Sequence, residues 1–118
     1  MSISNYREKK ILEAIKGLAN CFIKLHKGNP GENGTENGAT ENKRKKVTFN
    51  EPNEEGMLNA ADVEWPEVAA TEEITHISLW DAEEGGNCEW YGPLTAAQAL
   101  VAGNDFRIKK EKLKLTVD

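Results

Sequence analysis

Cysteine, histidine and aromatic residues are all scarce in this 118-residue chain: two Cys, two His, three Trp, two Tyr and three Phe. Each shortage excludes a class of chemistry. Cys21 and Cys88 match no metal-ligand spacing and give no disulfide framework, so both are expected as buried thiols. With His26 and His76 as its only imidazoles, the chain offers one formal dyad, a cysteine with His76. Nothing flanks that pair as an oxyanion hole requires. No apolar run approaches the roughly 18 to 20 residues needed to cross a bilayer. The opening SISNYREKK is too charged for the apolar centre of a secretion signal, and a soluble, unexported chain is expected. No Lys or Arg occurs between Val47 and Phe106, against 13 acidic residues there, which argues against a nucleic-acid surface over the middle of the chain.

What is present is banded charge on a net of -5. Met1 to Lys27 carries six basic against two acidic residues, and Arg107 to Asp118 five against two. Such banding suits docking against oppositely charged neighbours, provided the bands do not intermix on folding. Length allows one domain, 1–118, with a thin, mostly aliphatic core.

Residues 4–17 read as a helix with Ser4 as N-cap and Gly17 at its end. Ile11, Leu12, Ile15 and Leu18 recur at helical spacing, and the opposite face is basic and wet. That face favours packing on the chain's own sheet or on a partner over a membrane surface. CFIKLH, 21–26, has strand composition. The polar segment 28–46 follows, beginning with GNPGENGTENGATEN. Flexible excursion, calcium loop and solvated spacer all compete for it. Calcium is disfavoured, because Glu32, Glu36 and Glu41 lie four and five apart with no Asp among them. The segment ends in Lys43, Arg44, Lys45 and Lys46, whose charges should face solvent or an acidic neighbour while the chain enters a strand at Val47–Phe49.

The main β region is 47–118. Period-two alternation marks 61–65, the stronger 73–81 and 112–117, where Leu113, Leu115 and Val117 face inward. ITHISLWDAEEGGNCEWYGPLT, 74–95, reads as a hairpin: Gly85 and Gly86 permit the turn, Cys88–Tyr91 returns, and Gly92-Pro93 breaks the strand. Shorter strands are expected at 99–102 and 106–109. The resulting fold class is mainly β, an antiparallel sandwich or barrel-like domain of about seven strands with one N-terminal α-helix. Absence of βαβ alternation excludes doubly wound nucleotide-binding folds.

Chemistry is sparse. Glu54-Glu55, Glu72-Glu73 and Glu83-Glu84 are adjacent pairs that read as solubilising groups, not as carboxylates held across a cleft. No glycine-rich segment leads into Lys-Ser or Lys-Thr, so no phosphate loop is present. Trp80, Trp90 and Tyr91 are expected to pack as cross-strand hairpin aromatics, with a sugar-binding platform as the functional alternative. No catalytic, cofactor-binding or metal site is predicted, and no enzyme activity, nucleic acid or membrane partner is expected.

One resemblance rests on particular residues: "ITHISLWDA", "GGN", "YGPLT" and "VAGN", with Val47-Thr48-Phe49, Val63-Glu64-Trp65-Pro66 and the closing Leu113 to Asp118. Together these resemble short β-rich virion proteins of tailed bacteriophages, often labelled tail fibre or minor tail proteins and similar to small capsid decoration proteins. That pattern favours a more apolar residue where Glu89 stands, and the doubled Glu-Asn-Gly loop with its basic cluster is an elaboration. The resemblance implies a virion structural protein, assembled in the host bacterial cytoplasm in many copies. An accessory or minor capsid (decoration) protein is preferred because the chain lacks a long repetitive shaft. A tail-associated fibre protein and a carbohydrate-binding β-module are the alternatives. Implied partners are the major capsid protein or tail proteins, with a homo-oligomer left open, through Arg7 and Lys10 of the helix and Lys43, Arg44, Lys45 and Lys46.

Overall fold

The computed structural model describes residues 4–18, 20–53 and 55–117. Helix α1, Asn5–Lys16, is started by Ser4, whose extended backbone lets Oγ accept from the Arg7 N–H at 3.3 Å. Leu12 and Ile15 enter the core, with Ile11 and Leu18 packed partly against it. The rest of the helix is largely exposed. Gly17 ends it in a right-handed conformation, so positive φ is not what the glycine supplies.

Eight strands follow among the described residues: β1 Phe22–His26, β2 Lys45–Lys46, β3 Met57–Leu58, β4 Val63–Trp65, β5 Glu72–Trp80, β6 Cys88–Leu100, β7 Phe106–Ile108 and β8 Lys114–Leu115. All pairings are antiparallel. The main sheet has the order β2-β1-β5-β6, and β3-β8 and β4-β7 form two-stranded sheets. The mainly β class with one leading helix is thus observed, with eight short strands in place of about seven. One contiguous core joins the sheets, from Ile23, Leu25, Ile77 and Leu79 to Met57, Trp65 and Leu115. Trp65 and Phe106, cross-strand partners on β4 and β7, form its aromatic pair at 5.7 Å.

Three boundaries differ from those expected. Gly92-Pro93 does not end the hairpin: β6 runs on to Leu100, because β6 is an edge strand and a missing proline donor costs nothing on a free edge. The strand expected at 99–102 is the end of that same β6. The strand expected at Val47–Phe49 begins earlier, at Lys45–Lys46, which pair with Ile23 and Phe22. Phe49 instead bridges to Asn59.

The largest departure is the polar loop. It is no free excursion. Lys27 N–H donates to Asn37 O at 2.9 Å, Glu36 N–H to Pro30 O at 2.9 Å and Ala39 N–H to Leu25 O at 3.1 Å, folding the loop back beside β1. Pro30, Gly34, Ala39 and Glu41 are buried. At Gly34, φ is +70° and a Cβ would meet Cys88 Sγ at 2.6 Å, so only glycine allows this approach. The doubled Glu-Asn-Gly unit therefore supplies the turns of a folded covering.

That covering meets a polar sheet face. Alternation puts Ile23, Leu25, Ile77 and Leu79 on the core side and leaves His26, Ser78 and Trp80 on the other. Burial is made tolerable by a relay. Glu36 O can only accept, so His26 Nδ1 carries the proton and donates to it at 2.8 Å. Nε2 then accepts from the Ser78 hydroxyl at 2.6 Å, and Ser78 Oγ accepts from Trp80 Nε1–H at 2.7 Å.

Desolvation of the buried ring pushes His26 below its ordinary value of 6.5. The folded chain thus refuses a proton that the unfolded chain accepts below that value. The stability that neutral His26 contributes is fully present above about pH 6.5 and is lost as pH falls through the depressed folded value. Urea unfolding from about pH 8 to about pH 5 should show this decline, and His26→Gln should flatten it; an unchanged slope would contradict the assignment.

Candidate partner-docking surface

Arg44 is where the sequence expectation and the structure part most clearly. Expected as a partner contact, it is half-buried and engaged within the chain. Its guanidinium lies 4.0 Å from the Trp80 ring centroid, and Nη1 donates to Ala82 O at 3.0 Å and Gly85 O at 2.7 Å. A planar, delocalised cation stacks and donates sideways together, which a lysine ammonium does not match. Arg44 clasps the hairpin turn. Asp81 completes that turn by accepting from Asn87 N–H at 2.8 Å, which holds its carboxyl below the usual range.

Lys43, Lys45 and Lys46 behave differently. Main-chain groups anchor them: Lys43 O accepts from Trp65 Nε1–H at 2.9 Å, and Lys45 and Lys46 form β2. Lys43 and Lys46 are exposed and Lys45 half-buried. A polar concavity of about 410 Å³ is lined by Lys24, Lys43, Arg44 and Lys45 together with Glu83 and Glu84. The acidic and basic bands therefore intermix here. Arg107 likewise meets Glu64 and Asp62 across β4 and β7. On α1 the basic character survives, since Arg7, Lys9 and Lys10 are exposed beside Tyr6, which is 70% exposed. Lys10 lies 5.4 Å from the Tyr6 ring centroid and 3.9 Å from Glu13.

Trp80, Trp90 and Tyr91, expected as cross-strand packing aromatics with a sugar platform as the alternative, do not all share one face. Trp80 stands across from Cys88, whereas Trp90 stands across from Leu79 and Tyr91 from Ser78, with an irregularity after Leu79. Adjacent strand positions face opposite sides, so the two tryptophans lie on opposite faces of the sheet. Trp80 is covered by Arg44 and the Gly34 turn. Trp90 folds over Gly92, where a Cβ would meet its ring at 2.6 Å, and donates Nε1–H to Thr116 O at 2.9 Å. Both rings pack the chain, and neither pairs with the other. Gly85 and Gly86 sit at φ +65° and +72°, the turn for which two glycines were expected.

Glu72, read from sequence as a solubilising group, and Glu41 of the polar loop are structural. Glu72 accepts from Thr40 N–H and Glu41 N–H at 3.0 and 3.1 Å, and buried Glu41 accepts from Ala69 N–H at 3.1 Å. Together they tie the polar loop to the start of β5. Glu54 lies outside the described residues. Glu89, exposed on β6, has its carboxyl pushed up by desolvation and by the neighbouring Asp81 carboxylate. Cys21 and Cys88 are pushed up chiefly by burial, which makes them poor nucleophiles. Among the described residues, no cluster of three or more His, Cys, Asp or Glu is placed to hold a metal ion. No described helix is long and apolar enough to cross a membrane.

The clasp carries a sharp expectation. Arg44→Lys should lower unfolding stability by about 1–2 kcal/mol and shift Trp80 emission to longer wavelength. Lys43→Ala and Lys46→Ala should each stay within about 0.5 kcal/mol. Urea titration followed by tryptophan fluorescence checks all three, and an equally silent Arg44→Lys would refute the clasp.

No curated protein matches the chain. A family model described as podophage GP4 fiber I protein gp80 matches residues 2–116. With helix, polar loop and β region all inside that match, the chain belongs to the podophage GP4 fiber I protein gp80 family and is a fibre-type component of a phage virion.

Proposed function

We propose that the chain is a non-enzymatic structural piece of the fibre apparatus, attached to a neighbouring virion protein by the exposed half of α1 and the lysines next to its exit. The observation that carries this reading is the uncovered, basic start of α1, with Arg7, Lys9 and Lys10 exposed around Tyr6 while Leu12 and Ile15 anchor the other end. An aromatic ring within a basic patch suits an acidic partner surface, since the ring supplies contact area and the charges supply orientation and encounter rate. Lys46 stands near the opposite end of the helix, because it pairs with Phe22 just after it, where Val47 N–H donates to Cys21 O at 2.9 Å.

Tail attachment is favoured over the capsid surface because the family description names a fibre. Decoration of the capsid remains the second reading, on the ground that a small domain without a repetitive shaft can gain occupancy through copy number. In either position the partner is another protein of the same virion.

Arg44 must be left intact in any test, since it holds the hairpin. Particles assembled with Arg7→Glu/Lys10→Glu, or with Lys43→Glu/Lys46→Glu, should carry at least tenfold less of this protein than wild type, while the purified variants keep wild-type unfolding midpoints. Undiminished occupancy of both would refute the attachment surface. Labelled wild-type protein imaged on particles should mark the tail; label over the head would favour decoration.

A further inference from the structure

A second surface, away from α1, is built differently. A groove of about 480 Å³ runs beside β6, with Leu58, Leu94, Phe106 and Ile108 among its lining and Lys109, Lys112 and Lys114 on it beside the Glu111 carboxylate. Phe106 and Ile108 are buried and Leu58 and Leu94 half-buried, whereas the three lysines are exposed. Arg107 also lines it but is already paired with Glu64 and Asp62. Among the described residues no carboxylate forms an ion pair with the three lysines. In a chain of net charge -5, this is a local basic rim over an apolar lining.

Backbone features point the same way. Strands β6, β7 and β8 all line the groove, and among the described residues each has one hydrogen-bonded neighbour, β5, β4 and β3 respectively. Between the pairs Ile74–Gln98 and His76–Pro93, β5 has one residue and β6 has four, so Leu94 to Ala97 bulge, and Leu94, Thr95 and Ala96 line the groove. Across from them the turn 109–112 is held in a costly shape. Glu111 sits at φ +64°, a left-handed conformation unfavourable for a side chain of this kind. Lys112 N–H closes the turn on Lys109 O at 3.0 Å, and Glu111 N–H donates to the main-chain oxygen of buried Asn59 at 3.0 Å. Asn59 Nδ2 also donates to Lys109 O at 3.0 Å. Strain of this kind persists only where surrounding structure enforces it, and here it fixes how the lysines are displayed.

We propose that this groove receives an extended segment of another virion polypeptide in which apolar and acidic residues alternate. Period two in such a segment sends every second side chain in among Leu94, Phe106 and Ile108 and leaves the carboxylates for Lys109, Lys112 and Lys114. Addition of a strand beside one-sided strands supplies main-chain hydrogen bonds, and the pockets between supply selectivity. The inference deepens the structural reading above and rests on it.

A fluorescein-labelled peptide alternating Glu and Leu, titrated with the purified full chain by fluorescence anisotropy, is the test. Saturable binding is expected, with at least tenfold weaker binding to Lys109→Glu/Lys112→Glu/Lys114→Glu and weakening at raised ionic strength. Ala96→Trp, which fills the groove without changing charge, should weaken binding equally and guards against misfolding of the triple variant. Peptides alternating Lys with Leu, or Glu with Gly, should not bind. Absence of Glu–Leu binding, or equal binding by wild type and both variants, overturns the proposal. So does groove-dependent self-association in sedimentation, which assigns the site to a second copy of the chain. Presence of the protein on purified particles is scored separately: its absence there refutes the structural role, whereas normal presence without peptide binding refutes the groove alone.

Discussion

Along β1 and β5 the main sheet is buried on both faces, but only one face is apolar. That constraint governs the rest of the molecule. Ile23, Leu25, Ile77 and Leu79 fill one side as ordinary core, while His26 and Ser78, both 0% exposed, lie on the other. An unpaired buried polar group costs about 1–3 kcal/mol, and two or three of them would consume much of the roughly 5–15 kcal/mol that holds a domain together. The chain meets this with a relay that ends on a main-chain carbonyl of the covering loop, from Trp80 through Ser78 and His26 to Glu36. No described buried side-chain nitrogen or oxygen is left without a partner. Loop, relay and clasp form one device. Gly34 permits the close approach, Arg44 closes over Trp80, and Glu41 and Glu72 bind the loop's far end.

Some of the charged groups are occupied in holding the fold and are therefore not free for partners. Arg44, Arg107, Glu41, Glu72 and Asp81 are all committed internally. The exposed basic groups used above lie at the start of α1, at Lys43 and Lys46, and on the rim beside β7 and β8. A small virion component needs little more, since its affinity is multiplied by repetition along an assembly and not by a deep pocket.

Much of the architecture was legible because period-two burial is a local signal. The alternations of 61–65, 73–81 and 112–117 mark β4, β5 and the segment containing β8, and Ser4 with the Ile11–Leu18 stripe marks α1. Position within the sheet was not legible. Pro93 reads as a break unless β6 is known to be an edge, and Trp80 and Trp90 read as a pair unless the irregularity after Leu79 is known. The polar loop misleads for a related reason: turn-forming residues have the same composition whether they fold onto a sheet or project into water. Only the two histidines and Ser78 in flanking strands signalled that something polar would need covering there. Of the candidate contact residues, Arg44 is the one whose side chain is bonded into the hairpin turn, and no feature of Lys-Arg-Lys-Lys as a string distinguishes its second member. The groove lysines belong to the basic band Arg107–Asp118, but that they share one rim emerges only from the fold that pairs β8 with β3.

The central claim is that the polar loop is a folded second layer over the sheet, as stable as the strands beneath it. Amide hydrogen exchange of the native chain at Lys27, Glu36 and Ala39, whose N–H groups are bonded within this layer, compared with Ile77 and Leu79 of β5, measures it directly. Protection of the loop amides to within about tenfold of the β5 amides is the predicted result. Loop amides exchanging at the rate of an unstructured peptide while Ile77 and Leu79 stay protected would contradict it.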